Sequence, residues 1–320
     1  MKSKINLPKK FSSVRVEGRV YLKAPKEFCI YPTNKNHIGC NAKVKNTFEY
    51  LEWVHKLMYE YGELLHLDFS DLERLGSAAS VILFAEITKA QLISEYEEIV
   101  IFTLPNDDSV KSLFRKTDFQ KAISPGGHRK LVSLFDDNNH YQSGTDPNKF
   151  NVSTLLGLTQ QGVRFAKPEM KLFSRGIQEA MLNVLHHAYD GEEELKMGIG
   201  NRWWQCSFYD KDNRVLIFII YDSGKGIPLS IDEVAPTNMD DGEKIEYVMR
   251  SGISRITTDA KRGTGYEDII RIATISDKSK LLVYSGKGIY YLDKVKKISK
   301  CGVHQKSVSG TLIEWQIPYE

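Results

Sequence analysis

The sequence lacks the features that most quickly assign a protein to a metal-binding, secreted or membrane class. Its four cysteines, Cys29, Cys40, Cys206 and Cys301, lie far apart and form no Cys-x-x-Cys pair, so neither a zinc site nor a disulfide framework is predicted. The longest apolar run, around 215–221, is too short to cross a bilayer, and no apolar segment follows the basic N-terminus. We therefore expect a reduced, cytoplasmic location and no membrane partner.

A large charge of one sign is also missing. Lysine and arginine number 44 and aspartate and glutamate 41, which leaves a net charge of +3. The densest basic run, 294–300, is typical of a solvated surface hairpin, so no nucleic-acid partner is indicated. At 320 residues the chain has the length of two domains, each large enough for its own core.

In the first part of the chain, strand and helix patterns alternate. Residues 13–22 follow a strand pattern with a turn near Gly18, and we assign 1–36 to an N-terminal strand extension. From 37 to 135, apolar spacing predicts helices near 44–61, 76–87 and 109–119 and strands at 64–69 and 98–104, as in an α/β sheet flanked by helices. Residues 136–150 are rich in turn formers and are predicted to be a linker, which leaves 151–320 as the second domain.

One stretch of the second domain, 178–189, carries polar residues at helical spacing. Glu179, Asn183 and His187 recur every four residues and would share one face of a helix whose other positions are mostly apolar. A carboxylate and a carboxamide one turn apart on a buried helix are costly unless a polar group meets them. On this stretch alone, a hydrogen-bonded pair in the core and a functional site are equally good interpretations.

Two glycine motifs follow downstream. A β-rich strand runs into Asp222, Gly224 and Gly226, where missing side chains would let backbone approach a ligand ring, and Gly263 and Gly265 open a helix whose N–H groups can face phosphates. An aspartate held at a strand end can accept a hydrogen bond from an exocyclic amine. There is no third glycine at the dinucleotide-binding spacing and no Gly-Lys-Ser/Thr sequence, so Rossmann and Walker sites are excluded.

The order of these elements, closed by Gly310-Thr311 on a final strand, resembles the GHKL ATP-binding superfamily, which includes histidine kinases and anti-sigma-factor serine kinases. The resemblance implies an α/β sandwich with a mixed sheet covered by helices on one face, and ATP and Mg²⁺ as ligands. It implies Glu179 as the catalytic base, Asn183 as the Mg²⁺ ligand and an ATP lid between 228 and 263. The ATP-binding residues it implies are Asn183, His187, Asp222, Gly224, Gly226, Ile227, Lys261, Arg262, Gly263, Thr264, Gly265, Tyr266 and Thr311.

The first domain resembles a STAS domain, the fold of anti-sigma-factor antagonists. The resemblance rests on the strand Leu67-Asp-Phe-Ser70, a short linker and a helix that begins with small residues. In the antagonists an Asp-Ser pair opens that helix and the serine is phosphorylated; here Gly76-Ser77 stands in its place. We therefore expect Ser77 to be a packing or capping residue in a regulatory domain that binds a protein partner.

These features favour a cytoplasmic, ATP-dependent regulatory switch of the ATPase type. A serine/threonine kinase of the anti-sigma-factor type is the first alternative, because 247–254 is similar to that branch, and a non-hydrolysing ATP-gated interaction protein is the second. A histidine kinase is disfavoured because an α/β domain stands where a two-helix bundle with a phosphoacceptor histidine should be. The sequence leaves open whether the protein forms a homodimer.

Overall fold

A computed structural model describes residues 6–31, 42–189, 199–251, 265–293 and 298–319. It is a mixed α/β structure that divides into a first unit (1–31 and 41–134) and a second unit (32–40 and 135–320). Among the helices in these described ranges, none is both long enough and apolar enough to cross a membrane. Each unit has its own sheet.

The sheet of the first unit contains β1 (Val14–Val16), β2 (Arg19–Lys23), β4 (Leu64–Asp68) and β6 (Val100–Thr103), in the order β1-β2-β4-β6. Strands β1 and β2 form a hairpin that turns at Gly18 (φ 79°), and β2, β4 and β6 are parallel. Two short strands, β3 (Glu27–Phe28) and β5 (Arg74–Leu75), pair separately. The helices are α1 (Ala42–His55), continued by a π-helical turn (Lys56–Glu60), α2 (Ser77–Ser94), α3 (Asp108–Lys116), α4 (Phe119–Ile123) and α5 (Gly127–Asp136).

The assignment of 1–36 to an extension is wrong for its strands. Strand β2 lies between β1 and β4, and its Val20 and Leu22 are fully buried. The alternation of apolar and polar residues in β2 is that of an interior strand with one face in the core. Helix α2, by contrast, is apolar nearly all round and lies inside the unit, as such a helix should.

The sheet of the second unit contains β7 (Tyr141–Gly144), β8 (Trp203–Asp210), β9 (Val215–Asp222), β10 (Lys280–Asp293) and β11 (Ile298–Pro318), in the order β10-β11-β9-β8-β7. Its pairings are antiparallel throughout the described strands, so the expected mixed sheet is wrong. The physical reason lies in the length of the connections: four residues separate β8 from β9 and four separate β10 from β11, which is too few for a parallel crossover. The helices are α6 (Pro147–Gln160), α7 (Lys167–Asn183), continued by a π-helical turn (Val184–Ala188), α8 (Gly226–Ser230), α9 (Asp241–Ser251) and α10 (Gly265–Ile272).

The segment expected to be a linker, 136–150, belongs to this second fold. Its strand β7 pairs with β8, and the Ser143 hydroxyl donates to the carbonyl of Trp203 at 2.7 Å. The turn-forming residues after it begin a helix, because the Asp146 side chain accepts from the backbone N–H groups of Asn148 and Lys149 and Pro147 occupies the first turn of α6. Capping residues were therefore misread as a flexible stretch.

Helices α6, α7 and α10 contribute to one core with alternate residues of the central strand β9. Phe218 of β9 meets Phe173 of α7 edge to face at a centroid distance of 5.6 Å, and it lies 6.0 Å from the ring of Trp315. The Trp315 indole donates to the carbonyl of Ile269 at 3.0 Å, which fixes α10 against the sheet. This packing places the end of β9 beside the end of α7.

Candidate functional site

The end of α7 presents the polar residues predicted for a site. Glu179 and Asn183 lie one α-helical turn apart, and then the helix widens into the π-helical turn that carries His187. Such π-helical turns are rare in proteins, and those that occur are often found at functional sites. The carbonyl of Ala188 accepts from the backbone N–H of Lys225 at 2.8 Å, so this turn is joined directly to the segment that follows β9.

At the end of β9, Asp222 is only 7% exposed. Its Oδ1 accepts from the N–H of Gly224 at 2.9 Å. Burial raises the pKa of Asp222 to about 7, although backbone hydrogen bonds from Gly224 and Thr311 favour the carboxylate. A buried carboxylate in this condition gains from any further donor that reaches it.

The glycines around Asp222 are needed for contacts within the protein. A Cβ on Gly224 would lie 2.1 Å from the carbonyl oxygen of Ala188, and one on Gly226 (φ 80°) would lie 2.6 Å from the Ser285 hydroxyl. A Cβ on Gly310 (φ 74°) would lie 1.9 Å from the carbonyl oxygen of Asp222. The expected reason, close approach to a ligand ring, is therefore not the one that the structure gives for Gly224 and Gly226.

A small cavity of about 30 Å³, partly open to solvent, lies between these elements. Its lining brings together seven of the predicted residues: Asn183, His187, Asp222, Gly226, Ile227, Tyr266 and Thr311. Apolar side chains complete it, among them Val184, Ile220 and Ile313. The result is a mostly apolar cavity with a few polar groups, the composition that orients a small ligand.

Two further predicted residues lie beside the cavity. Gly265, the first residue of α10, approaches α7 so closely that a Cβ there would be 3.0 Å from Glu179 Oε2 and 3.8 Å from Asn183 Oδ1. Gly224 packs against the π-helical turn as described above. The other predicted residues, Lys261, Arg262, Gly263 and Thr264, lie outside the described residues.

Glu179 is partly exposed and its pKa is raised. Desolvation is the larger cause, and the carboxylate of Asp268 on α10 adds to it. Asp268 is itself buried, and its Oδ2 accepts from Arg175 Nη2 at 2.8 Å. A carboxylate with a raised pKa is suited to take a proton from an attacking group.

Asn183 carries an unmet hydrogen-bonding group. Its Nδ2 is buried and has no hydrogen-bond partner within the described part of the chain. An unpartnered buried donor costs about 1–3 kcal/mol, so a ligand acceptor at this place would be favoured. Within the same described residues there is no cluster of three or more acidic, histidine or cysteine side chains that would hold a metal alone. The unpartnered N–H suits a phosphate oxygen, and the amide oxygen of Asn183 is a type of ligand that Mg²⁺ accepts together with phosphates.

Part of the expected lid is firmly packed. Ile245, Val248 and Met249 of α9 are buried in the core of the unit. Asp241 Oδ2, at the start of α9, accepts from the backbone N–H of Lys287 at 2.7 Å, which holds the helix to β10. Of the expected lid, α9 therefore belongs to the packed core of the unit. Residues 252–264 lie outside the described residues.

Sequence reasoning missed Ser285 of β10. The side chain is fully buried, and its hydroxyl accepts from the N–H of Ile227 and donates to the carbonyl of Gly310, both at 2.8 Å. It thus joins the glycine turn after β9 to the strand that carries Thr311. A signal was present: Gly286 and Gly288 interrupt the strand pattern, as at a bulge, and the register of β10 shifts there.

Comparison with protein-family models, with curated proteins and with solved structures finds no match for this chain.

Proposed function

We propose that the second unit binds ATP with Mg²⁺ and that the protein is an ATP-dependent regulatory switch of the ATPase type. The observation that carries the proposal is Asp222, a buried carboxylate with a pKa of about 7 that lines a small apolar cavity. The order of motifs in the sequence, similar to the GHKL superfamily, supports the same conclusion. Cytoplasmic location and a protein partner at the first unit belong to this proposal.

Asp222 would select the base. A carboxylate with one oxygen already bonded to Gly224 can accept a further hydrogen bond from the exocyclic amine of adenine. Ile227 and Ile313 offer apolar contact for a flat ring, and burial together with the nearby Asp222 charge raises the pKa of the Tyr266 phenol, which keeps it neutral. Guanine carries a carbonyl oxygen where adenine carries the amine, and an oxygen facing a carboxylate is repelled.

Asn183, Glu179 and the start of α10 would serve the phosphate end. The N–H groups at the start of an α-helix favour anions, and Gly265 brings that start against α7. Mg²⁺, when bound with the nucleotide, neutralises phosphate charge and polarises the phosphate that is transferred. Asn183 would supply an oxygen for the ion and its unpartnered Nδ2 for a phosphate oxygen. Glu179 would hold the attacking group and take its proton.

A protein serine/threonine kinase is the second candidate. Glu179 is partly exposed, so the hydroxyl of a protein partner can reach it as well as water can. A non-hydrolysing ATP-gated binder would use the same cavity but would need no base. Turnover of ATP by purified protein, with and without candidate partners, separates the three.

The proposal is tested by titrating the full chain with Mg·ATP in a calorimeter. Asp222→Asn removes a charge-assisted hydrogen bond of about 1.5–3 kcal/mol, so ATP affinity should fall by about one to two decades. Asp277→Asn makes the same change at an exposed position of the second unit and should leave affinity unchanged. If wild type and Asp222→Asn are both folded and bind ATP equally well, Asp222 does not contact ATP. The proposal would then lose the observation on which it rests.

A further inference from the structure

A second cavity lies wholly within the first unit, at the carboxyl ends of two parallel strands. β2 ends at Lys23 and β4 at Asp68, and the N–H of Ala24 donates to the carbonyl of Asp68 at 2.8 Å. The cavity has a volume of about 380 Å³ and is partly open to solvent. In open α/β sheets the carboxyl ends of the strands are the usual place for ligands. We call it the lysine cavity, after Lys10, Lys23, Lys26 and Lys43, which line it.

The lining has an excess of positive charge. The four lysines come from separate places: the 3₁₀ turn before β1, the end of β2, the segment after β2 and the first turn of α1. Two acidic side chains, Glu27 and Asp71, share the lining with them, and the other two carboxylate partners of the lysines, Glu49 and Glu73, lie outside the lining. Convergence of cations from four segments of chain is what an anion site needs, because each can approach the anion from another side.

The ion pairs that the lysines make now are easily exchanged. Lys23 Nζ lies 2.6 Å from Asp71, and Lys26 Nζ lies 2.7 Å from Glu73, with the lysine side chains 33% and 68% exposed. Lys43 and Lys10 pair with Glu27 and Glu49 in the same manner. Hydrogen bonds to Asp71 and Glu73 raise the pKa values of Lys23 and Lys26, so both lysines are charged near neutral pH. Exposed pairs of this kind add little to stability, so a better anion can displace the carboxylates at small cost.

The remaining lining suits an organic molecule. Pro25 and the small exposed part of Phe11 give an apolar surface, and the amide of Asn46 and the hydroxyl of Ser12 provide hydrogen-bonding groups. Phe11 is held in place by an edge-to-face contact with Tyr50 at a centroid distance of 5.4 Å. A ligand with both a phosphate and an organic part would use all of these groups, whereas a bare anion would use the lysines alone.

We propose that the lysine cavity binds a phosphorylated small molecule, whose phosphate dianion replaces the carboxylate partners of two or more lysines and whose organic part lies against Phe11 and Pro25. A phosphate dianion offers two charges and three acceptor oxygens, so it can bind several ammonium groups at once, which a single carboxylate does less well. Such a ligand would give the first unit a signal of its own, independent of the ATP cavity.

Lysine footprinting of the full chain tests this site directly. The protein is acetylated with and without ribose 5-phosphate, and the modified lysines are counted by mass spectrometry. We expect Lys23, Lys26 and Lys43 to be protected several-fold, whereas the exposed Lys116 of α3 should react as before. Ribose with sodium sulfate at equal ionic strength should protect none of them, because the phosphate and the sugar must be on one molecule. A non-nucleotide probe keeps the result independent of the proposed ATP site.

Variants make the test quantitative. Lys43→Gln and Lys23→Gln should each weaken ribose 5-phosphate binding about tenfold, since each removes a charge-assisted hydrogen bond. Lys116→Gln, with the same charge change in the same unit, should bind like wild type, and matching melting temperatures would show that the variants fold. Uniform protection of all lysines, protection by sulfate alone, or equal loss in Lys116→Gln would overturn the proposal. So would binding of a phosphoserine peptide at this site without binding of any sugar phosphate.

Discussion

The two cavities hold their polar groups in opposite ways. Around Asp222, the polar atoms are buried and fixed by backbone hydrogen bonds, with glycines that leave no room for a Cβ. In the lysine cavity, the charges stand on long, exposed side chains that pair with one another. The first arrangement can discriminate between ligands by single atoms, because a wrong ligand leaves a buried group unpaired. The second can accept a range of sugar phosphates, because its long lysine side chains can adjust to the position of the phosphate.

The largest effect is expected from substitution of Glu179, beside the Asp222 cavity. Glu179→Gln keeps the size of the side chain but removes the base, so ATP turnover or phosphotransfer should fall by about 10²–10⁴ while ATP affinity changes little. Glu233→Gln, an exposed change in the same unit, should keep full activity. Rapid-quench assays measure the rate. Full activity of Glu179→Gln would assign the base to another residue, and an inactive wild type that still binds ATP would favour the ATP-gated binder.

The second-largest effect is expected from substitution of Gly310, whose tight backbone packing distinguishes the Asp222 cavity from the lysine cavity. Gly310→Ala meets both a left-handed backbone and the carbonyl oxygen of Asp222 at 1.9 Å, so it should lower the free energy of unfolding by about 2–5 kcal/mol. Gly162→Ala has a similar backbone (φ 79°) but nothing within 4 Å, so it should cost only about 1–2 kcal/mol. Urea denaturation measures both. Equal losses would mean that the close approach at Gly310 is not restrictive.

The buried charge of Asp222 should appear in the pH dependence of stability. The pKa of Asp222 is raised from 3.8 to about 7 in the folded protein, so the folded state binds a proton that the unfolded state has released. Its contribution is fully present below about pH 4 and is lost as pH rises towards 7, by up to about 1.4 kcal/mol per pH unit. Asp222→Asn should lack this decline. Parallel stability–pH curves for the two proteins would show that Asp222 titrates normally.

The smallest of these effects is expected at Ser285. Ser285→Ala leaves the N–H of Ile227 and the carbonyl of Gly310 without this partner, which should destabilise the protein by about 1–3 kcal/mol. Ser279 is an apt control, because it is also fully buried but its hydroxyl has no hydrogen-bond partner within the described residues. Ser279→Ala should therefore be nearly neutral. If Ser285→Ala is as stable as Ser279→Ala, the hydrogen bonds of Ser285 with Ile227 and Gly310 do not stabilise the fold.

Local patterns in the sequence predicted much of the fold correctly. Strand β9 before Asp222, helix α2 and the small-residue start of that helix at Ser77 follow from apolar period and turn chemistry, which act over a few residues. The predictions that were wrong concern strands that pair with residues far away in the sequence. Strand β7 is four residues long and is a strand because β8 lies beside it, a pairing of residues about 60 positions apart. The same holds for β2, whose interior position is set by β4.

The candidate site shows the same division. Glu179, Asn183 and Asp222 carry a chemistry that residue type and spacing reveal, and the structure brings Asn183 and Asp222 to one cavity with Glu179 at its edge. The residue type of Ser285 reveals no such chemistry, because a serine in a strand is ordinary until the two backbone groups that it joins are known; only the glycines after it, Gly286 and Gly288, mark the irregular strand. The role of Gly224 was also beyond the sequence, since the carbonyl it meets belongs to Ala188 on another element.

The central claim, that Asp222 reads the exocyclic amine of adenine, is tested most directly by one titration of two nucleotides. ITP differs from ATP in that a carbonyl oxygen replaces the amine, so wild type should bind Mg·ITP at least about tenfold more weakly than Mg·ATP, because the buried carboxylate would face an acceptor. In Asp222→Asn, whose amide can donate to that oxygen, the preference should shrink or reverse. Equal binding of both nucleotides to wild type would contradict the account.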